Sequence, residues 1–198
     1  MNRKSFDKIA SSIGLILAVV LIGAGVLLQW GGNFAHTQVK EQIGQQKVFF
    51  PKTTDGGFMA LPSADQKEMA KYAGQQMLTG AQANTFSNHY IAVHLNGVAG
   101  GKVYEEVSGE FIAANAALKA TPNDAALQAK AAQLGGQRTT LFMGSTLRGL
   151  LGFSYAFSVL GNIAMIASYG AFAGGALFFI LAMLGFAHLR RAETDSVI

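Results

Sequence analysis

No cysteine occurs in the 198 residues, so disulfides, thiolate metal sites and thiol catalysis are excluded. That suits an exported domain. Charge is scarce too: Asp, Glu, Lys and Arg make up 13% of the chain, and its 15 basic and 11 acidic residues nowhere form a run of like sign. Nucleic-acid binding requires a clustered basic face, and that partner class is excluded. There are three prolines. No proline-rich or serine-rich linker separates parts of the chain, and no internal repeat is evident.

Apolar residues are abundant instead. Hydrophobic side chains form 51% of the sequence and the mean hydropathy is +0.30, too apolar for an ordinary soluble domain and too polar for a polytopic transporter. Ile9 to Trp30 carries no charge. Its roughly 22 residues rise about 33 Å as a helix, enough for the hydrocarbon core. A signal peptide competes for this stretch, but typical signal cores are about 7–15 residues long and Asn33-Phe34-Ala35 is a poor cleavage site. An uncleaved anchor is expected, with Trp30 in the aromatic belt.

A second apolar stretch runs from Leu141 to Leu189. Its first half contains Arg148, which would cost about 2.5–3.5 kcal/mol in the bilayer centre. Leu141 to Leu160 is therefore expected to pack on an external domain, and residues 161–189 to form the second span. Arg3, Lys4 and Lys8 flank one span and Arg190-Arg191 the other, so the positive-inside rule puts both termini in the cytoplasm. The expected fold is an all-α membrane protein with two transmembrane helices and a helical extracytoplasmic domain between them, the second span continuing from a long external helix. The expected divisions are a cytoplasmic N-terminus (1–8), span 1 (9–30), the external domain (31–160), span 2 (161–189) and a cytoplasmic tail (190–198).

Within the domain, 33–46 reads as a weak amphipathic helix and Lys47 to Pro51 as extended, because a residue before proline leaves the helical region. Ser63 with Gln66 reads as a capping box, and Gly80 as the interruption of the helix it opens. Gly100-Gly101 reads as a helix stop, Thr121-Pro122 as a start and Gly135-Gly136 as another stop. The domain is then a set of short antiparallel helices.

Chemistry-bearing residues are few. His89 and His94 with Glu105, Glu106 and Glu110 could suggest a metal, but five residues put the histidines about 140° apart on a helix, away from a shared face. Neither Ser87-Asn88-His89 nor the glycines of 97–101 has the spacing of a nucleophile elbow or a phosphate loop. No metal, cofactor or catalytic residue is expected, and the chain is expected not to be an enzyme. Arg148 is expected to tie the domain together by pairing with Glu105, Glu106 or Glu110, with lipid phosphate at the outer interface as the alternative partner. Gly14 with Ala18 and Gly170 with Gly174 are small-residue pairs four apart, expected to let the spans pack on each other or on partner helices. Phe86, Tyr90, Phe111 and Phe142 could line an apolar pocket.

The stretches Asn88 to Leu95, Gly100 to Ser108 and Thr146 to Leu151, with Tyr155 and Phe157, resemble a family of small actinobacterial two-span membrane proteins whose relatives are often labelled aromatic ring-opening dioxygenase. The resemblance implies a cell-envelope setting and two spans. The label would need an iron site, which the histidine pair does not make. The expected function is that of an accessory or assembly subunit of a larger plasma-membrane complex, or an envelope scaffold, in contact with lipid and with other membrane subunits or itself. A ligand- or lipid-binding sensory module is the alternative.

Overall fold

A computed structural model describes residues 3–191; the segment 192–198, most of the expected tail, lies outside the described residues. The described chain is helical, with no strand and one isolated antiparallel bridge, Phe49 to Gln76. The helices are α1 (Arg3–Gln45), α2 (Gly56–Met59), α3 (Ser63–Ala70), α4 (Gly80–Phe86), α5 (Ala92–Val98), α6 (Tyr104–Ala120) and α7 (Ala125–Arg191), with a π-helical turn, Ser87–Ile91, joining α4 to α5. Two of them, α1 and α7, are long and apolar enough to cross a membrane. The chain divides into two compact units, residues 1–37 with 159–198 and residues 38–158.

The first unit is an antiparallel helix pair. Within this unit the buried positions of α1 are Ser11, Ala18, Gly25 and Gly32, and those of α7 are Gly161, Ser168, Gly175 and Ala182, each set repeating every seventh residue. Seven residues nearly close two helical turns, so each set makes one stripe and the two helices can coil about each other. Every member is small, which lets the backbones approach closely. A Cβ at Gly32 would stand 2.9 Å from the Gly161 carbonyl oxygen, and one at Gly175 would stand 3.2 Å from that of Ala18.

The second unit holds two cores. In one, Phe50 packs edge-on against Phe86 at 81° with centroids 5.3 Å apart, over Met69 and Met77. The other places Val107 and Ala114 of α6 against Ala131, Leu134 and Leu141 of α7.

Several boundaries differ from the sequence expectation. The weak helix at 33–46 is the continuation of α1. Ser63 makes no side-chain cap; Gln66 instead donates to the carbonyls of Met59 and Leu61. The helix opened there ends at Ala70, and Gly80 begins the next one, where Thr79 and Gln82 form the capping box. Thr121-Pro122 does not start α7. The Asp124 carboxylate does, accepting from the backbone N–H groups of Ala126 and Leu127. Gly135-Gly136 ends nothing, because α7 runs through it and Gly135 admits the Phe111 ring. Gly100 and Gly101 do follow the end of α5, at φ of 62° and 87°, where a side chain would be strained.

Candidate functional site

Polar side chains locate the ties between the domain's helices. Arg138 sits on the α7 face that carries Leu134 and Leu141, so its guanidinium enters the second core. It donates from Nε to Ser108 Oγ at 3.0 Å and from Nη2 to Tyr104 Oη at 3.1 Å, and it lies over the Phe111 ring at 5.3 Å. The Ser108 hydroxyl and then the Arg138 guanidinium hold the Tyr104 phenol below its ordinary range.

Arg148 is not that tie to carboxylates. Its Nη2 donates to Asn88 Oδ1 at 3.3 Å, while Glu110 pairs with Lys102, Glu106 accepts from the Val103 N–H at the start of α6, and Glu105 is exposed. The expected pairing fails because α6 packs nearly three helical turns earlier on α7, beside Arg138. The signal for Arg138 was available: it follows Leu134 by four residues and precedes Leu141 by three, on one face.

His89 Nδ1 lies 2.7 Å from Asp65 Oδ1, linking the π turn to α3, and His94 Nδ1 meets the Tyr90 carbonyl at 2.7 Å. Among the described residues no group of His, Asp and Glu is arranged to hold a metal.

The four aromatic residues suggested for a pocket do not gather. Phe86 and Tyr90 belong to the first core and Phe111 to the second, while Phe142 is exposed and meets the Tyr104 ring at a tilt of 51°.

Of the small-residue pairs, Gly14 faces Ala182 and Ala18 is wholly buried. Gly170 faces open space. Gly174 approaches only the Leu21 side chain, and the close backbone contact belongs to Gly175. A spacing of four misses it, since the stripe on α7 repeats every seven. Within this interface Ser168, fully buried, places its hydroxyl 2.6 Å from Gln29 Oε1 and 2.7 Å from the Met165 carbonyl.

One face of α7 next to the domain is left without a partner among the described residues. Leu141, Gly144, Arg148 and Leu151 turn towards the domain, whereas Met143, Leu147, Leu150, Phe153, Phe157 and Leu160 recur every three or four residues on another side and are all at least half exposed. Leu141 to Leu160 was expected to serve as domain core; one face does, and this one does not. A helix apolar all round belongs inside a protein or a membrane. No family model matches the chain, and comparison with curated proteins and with solved structures finds no similar one.

Proposed function

We propose that the chain is a non-enzymatic integral membrane protein that serves as an accessory or assembly subunit of a larger plasma-membrane complex. Its central domain is extracytoplasmic, both termini are cytoplasmic, and its setting is the envelope suggested by the resemblance to actinobacterial membrane proteins.

The exposed apolar side of α7 carries this reading. It extends from Phe142 to Leu184, about 63 Å at helical rise and roughly twice the thickness of the hydrocarbon core. If span 1 crosses between Ile9 and Trp30, lipid covers only a matching length of α7. The six-residue stripe from Met143 to Leu160 then stands in water unless another protein covers it, and exposed apolar surface of that kind marks an interaction site. A partner membrane subunit with its own apolar helix meets that need.

The test is purification of the full chain from native membranes in a mild detergent. A stoichiometric partner is expected, and it should be lost from the double variant Leu147→Asp with Phe153→Asp at unchanged helix content. A lone chain, or a complex indifferent to both substitutions, would overturn the proposal. The sensory alternative has no comparable support, since its four aromatic residues lie in separate places.

A further inference from the structure

Between the two ends of the helix pair that the sequence assigns to the cytoplasm lies a groove of about 650 Å³, within the size range of small-molecule sites. Ser11, Gly14, Ala182 and Gly185 form its floor, and Ile13, Leu17, Phe178, Leu181 and Leu184 its walls. From Asp7 to Leu17 it extends about 15 Å along α1. Asp7 and His188 close one end, 3.9 Å apart, and Asp7 Oδ2 is buried without a hydrogen-bond donor. Arg191 follows His188 by three residues, hence on the same helix face, and Arg190 and Lys8 are exposed nearby in sequence.

We infer that this groove binds one anionic phospholipid with a hydroxylated head group, an acyl chain lying between the helices and the phosphate at the basic end. Three features select that occupant. The walls offer only apolar contact over a length suited to a chain. Basic groups at a cytoplasmic helix end attract phosphate, with bidentate bonding available from arginine. Asp7 would repel a bare second phosphate, whereas the part of its carboxylate that stays accessible, the side chain being 22% exposed, can accept a bond from a head-group hydroxyl. A partner helix would satisfy the walls and leave both the carboxylate and the arginines without a role.

The inference rests on the membrane-spanning reading of the helix pair. Alkaline extraction of native membranes checks that premise separately, because a chain released into the soluble fraction defeats the premise before any lipid is considered. The experiment on the site uses the full chain in phosphatidylcholine nanodiscs containing a trace of chain-labelled phosphatidylglycerol or chain-labelled phosphatidylcholine, with the motionally restricted spin-label fraction as readout. Wild type should restrict phosphatidylglycerol at least threefold more than phosphatidylcholine. Arg190→Gln with Arg191→Gln should equalise the two, and Ala10→Trp, which fills the groove from an exposed wall position, should abolish the restricted component above the general annulus. Leu181→Trp fills it from the opposite wall and serves if the first variant does not fold. Equal restriction of both lipids by wild type, or a preference that survives the groove-filling variant, overturns the inference.

Discussion

At the scale of single residues, Arg138 ties α7 to α6 through three side chains at once. It satisfies two hydroxyls and covers an aromatic ring, so Arg138→Met removes donors from Ser108 and Tyr104 while keeping most of the packing volume. A hydrogen bond to a charged group contributes about 1.5–3 kcal/mol when buried and less where water reaches it, so Arg138→Met should lower the unfolding midpoint in a denaturant titration of the full chain in detergent. Tyr104 provides an independent check. The Ser108 hydroxyl and the Arg138 guanidinium hold its folded phenol below the ordinary value, so the folded state favours the phenolate: this contribution to stability is complete above about pH 10 and is lost as pH falls through the lowered value. Tyrosinate absorbance, taken as the difference from Tyr104→Phe, should move up in pH in the Arg138→Met protein. An unmoved titration would show that the guanidinium does not act on the phenol.

At the scale of elements, the helix pair is held by close approach, and the glycines should differ sharply in their tolerance. Gly32→Leu drives a side chain into the Gly161 carbonyl and Met165, whereas Gly170→Leu enters open space. Overpacking costs about 1–3 kcal/mol; the first variant should lower the thermal midpoint of the detergent-solubilised chain and the second should leave it nearly unchanged. The reverse order would mean that the stripe does not form the interface. These same elements show what could be read from the sequence. Both long apolar helices were legible because composition alone decides them. Gly100-Gly101 was legible because positive φ demands glycine there. The glycine pair at 135–136 misled, because glycine also serves close packing, and only the position of Phe111 across the core separates the two uses. The separation expected between span 1 and the helix at 33–46 is absent, since α1 extends unbroken to Gln45, and the start expected at Thr121 is displaced because Asp124 caps better than a threonine followed by proline. No candidate pocket could have been read, since four aromatic residues spaced along the chain say nothing of which core each joins.

At the scale of the whole molecule, the absence of cysteine gives a direct way to test the topology and the covered face together. Single cysteines at Lys119, Phe153 and Arg191, all exposed positions, can be probed with a membrane-impermeant maleimide. If the domain is extracytoplasmic, Lys119→Cys reacts in intact cells and Arg191→Cys reacts only after lysis. If a partner covers the outward face of α7, Phe153→Cys is protected in native membranes. Lipid would protect it too, so the distinguishing sample is the chain alone in nanodiscs. There Phe153→Cys should become reactive, because about 57 Å of α7 lies between Phe153 and Arg191 and a bilayer shields roughly 30 Å of it. Labelling of residue 153 in intact cells at the rate of residue 119 would leave the face uncovered and remove the main support for a subunit role. Protection that persists in nanodiscs would place this part of α7 in lipid and overturn the expected two-span depth. Protection in native membranes that is lost on isolation is the outcome a partner subunit requires.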